Sequence, residues 1–107
     1  MAIHNVDAKT LKQWLEEKEV TLIDVREPDE YQAGHISEAT LIPLATITNN
    51  ILPSFAGKKL VVHCRLGKRG LKACEMLLAE NPRLEVYNLE GGIMAWAEAG
   101  HAVMPKV

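Results

Sequence analysis

The sequence has no long hydrophobic run and no excess of charge of one sign. Its apolar stretches fall far short of the roughly 18 residues that a membrane helix needs, and residues 1–7 lack the basic start and apolar segment of a secretory signal. Its 12 Lys and Arg residues stand against 14 Asp and Glu residues, and the basic residues are scattered apart from one cluster. These absences argue against a membrane segment, a secreted protein and a nucleic-acid-binding face. We therefore expect a cytoplasmic protein whose anionic ligands are small.

Cysteine is also scarce, since the chain contains only Cys64 and Cys74. A helix predicted over residues 71–80 tends to hold their Cα atoms farther apart than the limit of about 7 Å for a disulfide. Cys74 recurs with Leu77 and Leu78 on the apolar stripe of that helix, which predicts a place in the core. We therefore expect no disulfide and only one cysteine, Cys64, that is available for chemistry.

What is present is the composition of a globular protein, with 48% apolar and 24% charged residues in a chain of 107. This balance and length predict one domain over residues 1–107. Strand-like runs alternate with helix-like ones, which predicts an α/β fold with a parallel sheet and helices on both faces. The predicted strands are 3–6, 20–25, 39–44, 59–64 and 84–89, and the predicted helices are 8–18, 28–33, 45–52 (weak), 71–80 and 92–99.

The basic cluster follows directly after a predicted buried strand that ends at Cys64. Glycines at Gly67 and Gly70 let backbone amides approach a ligand closely, and the amides at the start of a helix favour anions. Neighbouring cations and such amides also favour the thiolate form of a cysteine. The sequence therefore predicts a catalytic Cys64 and a substrate-binding loop made of Arg65, Leu66, Gly67, Lys68, Arg69 and Gly70. The alternative interpretation is that Cys64 is a buried residue at the end of a strand and that the basic residues form a solvated loop without a ligand. That interpretation leaves Gly67 and Gly70 unexplained.

Three ordered motifs resemble those of a single-domain rhodanese. The first is Leu22–Glu27 with Glu30-Tyr31 and Gly34–Ile36 downstream, the second is the six-residue loop Cys64–Arg69, and the third is Leu89–Gly92 followed by Trp96 and Gly100. The resemblance covers nearly the whole chain. It implies a rhodanese-like three-layer α/β/α fold around a central, mostly parallel five-stranded sheet. Two residues depart from the usual pattern, because Gly70 stands where a serine or threonine is common and Leu66 is bulkier than the residue often found there.

The resemblance implies a sulfurtransferase. In that reading the Cys64 thiolate takes a sulfane sulfur from thiosulfate or a persulfide donor, carries it as a persulfide, and passes it to cyanide or to a thiol or protein acceptor. The amides of residues 65–70 would hold the transferred sulfur. No cofactor and no metal are implied, and the partners would be a small-molecule sulfur donor and the acceptor.

Two other functions remain open. Cysteine phosphatases and arsenate reductases share a His-Cys pair followed by an arginine after five further residues, but that position here is Gly70 and the loop that ends at Arg69 is one residue shorter. A non-catalytic rhodanese-like module, either a sulfur carrier or a partner-binding domain, is the second alternative. Retention of Cys64 and its basic loop argues against an inert module.

The remaining polar residues of interest are interpreted as structural. Asp24 and Arg26 are expected to form an ion pair, and His35 is expected to organise its loop. His63 precedes the nucleophile on a strand, where neighbouring side chains point to opposite faces, so a general-base role is not expected. The four histidines, His4, His35, His63 and His101, show no metal-binding spacing.

Overall fold

The computed structural model describes residues 2–105 and contains a five-stranded sheet flanked by helices. The strands are β1 (Ala2–Val6), β2 (Val20–Asp24), β3 (Thr40–Leu41), β4 (Lys59–His63) and β5 (Glu85–Leu89). The helices are α1 (Ala8–Glu16), α2 (Pro28–Ala33), α3 (Lys68–Glu80) and α4 (Gly92–Glu98). The strand order is β1-β5-β4-β2-β3, and all four neighbouring pairs are parallel. The predicted α/β fold is confirmed.

The central strand β4 is buried on both faces, as its unbroken apolar sequence predicts. Leu60 and Val62 belong to one core cluster and Val61 to a second, and none of the three is more than 1% exposed. The first cluster contains the buried face of α3, including Cys74, and the second contains residues of α1 and α4. The helices therefore cover both faces of the sheet, which gives the three expected layers.

Cys74 lies in the core, as predicted, and is fully buried. Burial disfavours the charged thiolate and raises the pKa of Cys74 to about 12. Both cysteines are free thiols. The side chain of Cys74 is consequently an apolar packing element of α3.

Several predicted elements differ in extent. The strand predicted over residues 39–44 is only two residues long, because the parallel register is lost after Ile42: its N–H donates to the Asp24 carbonyl, but the next bond runs from the Leu44 N–H to the Val25 carbonyl. The helix predicted over residues 45–52 is replaced by two 3₁₀ turns, Leu44–Thr46 and Asn49–Ile51, separated by the β-branched pair Ile47-Thr48 in extended conformation. The first helix ends at Glu16 rather than at Lys18, which adopts a positive φ of 59°.

The architecture brings the carboxyl ends of β2, β4 and β5 to one edge of the sheet. Asp24 pairs in register with His63, so the end of β2 lies beside the end of β4. α3 begins just beyond β4, and α4 begins just beyond β5. Ligands of open α/β sheets bind at such an edge, and Cys64 lies there.

Candidate active site

Cys64 follows the last residue of β4 and is 1% exposed. Its Sγ accepts a hydrogen bond from the Gly67 backbone N–H, with an N···S distance of 3.1 Å. Gly67 is the N-cap of α3 and has a φ of +119°, a conformation that side-chain-bearing residues rarely adopt. α3 therefore begins three residues before the predicted Leu71, and Lys68 to Gly70 form its first turn. The backbone N–H groups of a first helical turn have no intrahelical acceptor, so they remain available to an anion.

A pocket of about 310 Å³ opens in front of Cys64. Its lining contains four of the predicted loop residues, Arg65, Leu66, Lys68 and Arg69. The two glycines do not line it. Gly67 instead provides the hydrogen bond to the sulfur, and Gly70 is buried beneath the loop. The structure thus brings four of the six predicted loop residues to the pocket wall beside Cys64 and a fifth, Gly67, into contact with its sulfur, whereas Gly70 packs against Asn88.

The three cations of the loop are not equivalent. Arg69 makes two hydrogen bonds to the Glu30 carboxylate of α2, with N···O distances of 2.7 and 2.9 Å. Arg65 and Lys68 are exposed and form no ion pair with any residue between 2 and 105. The sequence predicted a substrate-binding role for all three. In the structure, two free cations flank the pocket and the third is neutralised.

Glu30 was missed as a partner of the loop because it lies 39 positions away in the sequence. The hydrogen bonds from Arg69 lower the pKa of Glu30 from 4.5 to about 2, and the same contact raises the pKa of Arg69. The pair joins α2 to the last residue of the six-residue loop. The only sequence signal was the position of Glu30 within the first of the three motifs.

Glu30→Gln is expected to lower the free energy of unfolding at neutral pH by about 1 kcal/mol, because a bidentate but partly solvent-exposed ion pair is lost. The folded-state pKa lies below the ordinary value, so the difference between wild type and variant should be fully present above about pH 4.5 and vanish as the pH falls toward about 2. Urea unfolding of both proteins at several pH values measures this difference in unfolding free energy. Glu38→Gln, at an exposed position, is the control and should show no such pH dependence.

Asn88 on β5 is a second residue that the sequence analysis missed. Its Nδ2 donates a hydrogen bond to the Gly67 carbonyl at 3.0 Å, and its Oδ1 lies against Gly70. A Cβ at position 70 would overlap this side chain, so a serine or threonine there would displace Asn88. The glycine at position 70 therefore leaves room for the asparagine at position 88.

The start of α4 supports the loop from the other side. The backbone N–H of Ile93 donates to the Cys64 carbonyl at 2.9 Å, and the N–H of Met94 donates to the Arg65 carbonyl at 3.2 Å. Gly92 has a φ of +60°, and any Cβ there would collide with both of these carbonyl groups. Gly92, which belongs to the third sequence motif, therefore lets the start of α4 pack against the backbone of Cys64 and Arg65 and hold it in place.

This geometry corresponds to one described protein family. The family model for the rhodanese-like domain matches residues 7–99 of the 107-residue chain. The chain belongs to the rhodanese-like domain family. A sulfurtransferase of Allochromatium vinosum is 34% identical over 99 residues, which cover 92% of each chain. An uncharacterized protein of Synechocystis is 37% identical over 92 residues, and the match spans 86% of this chain but only 51% of that protein.

Solved structures agree with the family assignment. The crystal structure of a rhodanese-related protein from Thermoplasma volcanium superposes with a TM-score of 0.77 at 30% identity, and the match covers 96% of this chain and 99% of that one. The rhodanese-like fold is thereby confirmed. The family includes proteins named as sulfurtransferases, which makes a transferase of this general type the appropriate class for the chain.

The polar residues behind the loop of this rhodanese-like domain form a buried network. Arg26 bonds to the Asp24 carboxylate at 2.7 Å and to the Gly34 carbonyl at 2.7 Å, which is the predicted ion pair. The His63 ring is fully buried, with Nδ1 3.2 Å from the Cys64 carbonyl oxygen and Nε2 3.6 Å from Asp24. Desolvation outweighs the attraction of Asp24 and lowers the pKa of His63. This ring contacts the backbone of the nucleophile, which fits a structural role.

His35 stacks on Tyr31 with ring centroids 3.9 Å apart, and its Nδ1 lies 2.8 Å from the Tyr31 carbonyl oxygen. Its backbone also pairs with Met104 in an antiparallel bridge. These contacts hold the segment after α2 in place, as expected for a loop-organising residue.

Within residues 2–105, no helix has the length and apolar composition to cross a bilayer, and no group of side chains there is arranged to hold a metal ion.

Proposed function

We propose that this rhodanese-like domain, as one unit over residues 1–107, moves a sulfane sulfur from thiosulfate or a persulfide donor to cyanide or a thiol acceptor, through a persulfide on Cys64. The observation that carries the proposal is the Gly67 N–H directed at Cys64 Sγ within a six-residue loop that opens α3. A donor at 3.1 Å stabilises negative charge on that sulfur. The neighbouring first-turn amides are available to the sulfur that becomes attached to it.

In the first half-reaction the Cys64 thiolate attacks the outer sulfur of thiosulfate. A new S–S bond forms, the S–S bond of thiosulfate breaks, and its electron pair leaves with sulfite. Thiosulfate and sulfite are both dianions, so the total charge is unchanged. Arg65 and Lys68 would neutralise the approaching and departing anions, since neither is paired with another residue in the described part of the chain.

In the second half-reaction a nucleophile attacks the outer sulfur of the Cys64 persulfide. The S–S bond breaks, and Cys64 recovers its thiolate. Cyanide would leave as thiocyanate and a thiol would leave as a persulfide. Neither half-reaction changes the protein apart from Cys64, so the cycle needs no cofactor. Arg69 has a different part, because its bond to Glu30 makes it a support for the loop.

A sulfur carrier with slow turnover is the second candidate. Cys64 is only 1% exposed, and Leu66, which is 61% exposed, lies at the rim of its pocket. Both features restrict the approach of a bulky acceptor and would favour a persulfide that persists until a fitting acceptor arrives. A phosphatase or arsenate reductase is less favoured, because the position where those enzymes have their arginine is Gly70 here, and the loop that ends at Arg69 is one residue shorter.

Steady-state kinetics distinguish these candidates. With thiosulfate and cyanide as substrates, a turning-over sulfurtransferase should form thiocyanate with parallel double-reciprocal plots, which is the pattern of a ping-pong cycle. Converging plots would contradict a covalent persulfide intermediate. Stoichiometric persulfide formation without continued thiocyanate release would identify a carrier, and hydrolysis of an aryl phosphate at a comparable rate would favour the phosphatase alternative.

A further inference from the structure

A second pocket of about 330 Å³ lies between α2 and α4, next to the Cys64 pocket. Its wall is formed largely by apolar side chains of α2, α4 and the segment after α4, including Ala33, Met94, Ala97 and Val103. Met94 is 39% exposed, so a large apolar side chain faces solvent here. The proposed reaction with thiosulfate and cyanide makes no use of this pocket. Its volume lies at the lower end of the range for small-molecule sites.

The polar end of this pocket carries one unpaired charge. Arg26 is neutralised by Asp24, and Glu30 is neutralised by Arg69. Arg65 lines this pocket as well as the Cys64 pocket, and it is exposed with no ion-pair partner in the part of the chain that the structure describes. A ligand that fills the pocket would therefore place an apolar body on the wall and an anionic group beside Arg65.

The two pockets are held in a fixed relation. The Met94 N–H donates a hydrogen bond to the Arg65 carbonyl. Arg65, which lines both pockets, is therefore anchored to α4, the helix that forms part of the apolar wall. The Glu30–Arg69 ion pair also joins them, because Glu30 lines the second pocket and Arg69 lines the first. An anionic group on Arg65 would thus lie one residue from the nucleophile.

We propose that this second pocket binds the carbon body of the sulfur acceptor, and that the acceptor is a small organic thiol with an apolar substituent and a carboxylate next to its sulfur. The inference rests on the proposed function, whose acceptor it specifies. The carboxylate pairs with Arg65, the substituent lies against Ala33, Met94 and Ala97, and the sulfur faces the Cys64 persulfide. The thiolate attacks the outer sulfur, a new S–S bond forms on the acceptor, and the electron pair of the broken bond returns to Cys64 as thiolate.

The test measures how fast the thiosulfate-loaded protein loses its extra sulfur to three matched acceptors, with rates expressed per thiolate. Mercaptoacetate has the thiol and the carboxylate, its α-benzyl derivative adds the apolar body, and the amide of that derivative lacks the charge. We expect the benzyl compound to react about tenfold faster than mercaptoacetate, because a fitting apolar group gains that much in a hydrophobic pocket. We expect the amide to react about threefold more slowly than the benzyl acid, the contribution of an exposed ion pair.

Two variants close the pocket from opposite walls, Ala97→Phe from α4 and Ala33→Phe from α2. Each should remove most of the preference for the benzyl compound, whereas Ala99→Phe, an exposed position that does not line the pocket, should keep it. Circular dichroism confirms that the variants are folded. Equal rates for mercaptoacetate and its benzyl derivative in the wild-type protein would overturn the proposal without the need for any variant.

A binding measurement keeps this inference separate from the proposed function. Phenylpropionate has the same body and carboxylate without the sulfur. In NMR titrations it should shift the amide signals of Ala33, Met94 and Ala97 in the wild type, whereas those of Ala33 and Met94 should not shift in Ala97→Phe. Absence of these shifts at millimolar ligand would contradict the subsite even if sulfur transfer to cyanide is observed. Failure to load sulfur from thiosulfate would instead contradict the proposed function, and the titration would still decide the subsite.

Discussion

Cys64→Ser is expected to abolish thiocyanate formation from thiosulfate and cyanide, with a loss of at least about a thousandfold. A serine hydroxyl remains protonated at neutral pH and cannot form a persulfide, so the sulfur has no place on the enzyme. The substitution changes one atom in a buried position that receives the Gly67 N–H, and an oxygen can accept the same hydrogen bond. The fold should therefore persist, and the loss should be one of chemistry.

Cys74→Ser is the matched control, since it makes the same change at the other cysteine. Cys74 lies on the buried face of α3, and burial raises its pKa to about 12, so the thiolate is scarce at neutral pH. This variant should keep its turnover and lose about 1 to 2 kcal/mol of unfolding free energy, because a hydroxyl is buried in an apolar cluster. Retention of activity by Cys64→Ser together with its loss in Cys74→Ser would reverse the assignment of the nucleophile.

Gly92→Ala is expected to have the largest effect among substitutions outside the loop. An alanine at φ +60° is strained, and its Cβ would collide with the backbone carbonyls of Cys64 and Arg65, which cannot move without disturbing the nucleophile. The two costs together should lower the unfolding free energy by about 3 kcal/mol. The displaced Cys64 backbone should also slow persulfide formation, which stopped-flow measurement with thiosulfate would record.

Gly57→Ala separates the two costs. Gly57 has a comparable φ of +74°, but an added Cβ there meets no atom within 4 Å. This variant should lose only about 1 kcal/mol, the cost of the strained backbone, and should form persulfide at the wild-type rate. If Gly92→Ala and Gly57→Ala proved equally stable and equally active, close packing of α4 on the loop would have no functional role.

The sequence was sufficient for those features that depend on local pattern. The apolar run of β4 predicted a strand buried on both faces, and the helical spacing of Cys74 predicted its place in the core. Asp24 and Arg26 are two residues apart, so their ion pair could be anticipated from the same short segment. The resemblance carried by the family motifs added the three-layer arrangement around a five-stranded sheet and the six-residue loop Cys64 to Arg69.

The features that could not be predicted depend on contacts between distant parts of the chain. Glu30 meets Arg69, and Asn88 meets Gly67, only because α2 and β5 lie beside the loop in the folded protein. The start of α3 was placed too late, because Gly67 caps the helix through a positive φ that its sequence neighbours do not reveal. The helix predicted over residues 45–52 was wrong for a local reason instead, since the β-branched residues Ile47 and Thr48 have little intrinsic preference for a helix.

The most direct measurement of the central claim is intact mass spectrometry of the wild-type protein after incubation with thiosulfate, followed by peptide mapping and a cyanide chase. The account predicts a gain of one sulfur atom, its location on the peptide that contains Cys64, and its complete removal by cyanide with return of the original mass. Addition of sulfur to the Cys74 peptide alone, or no addition at all, would contradict the proposal that Cys64 carries the transferred sulfur.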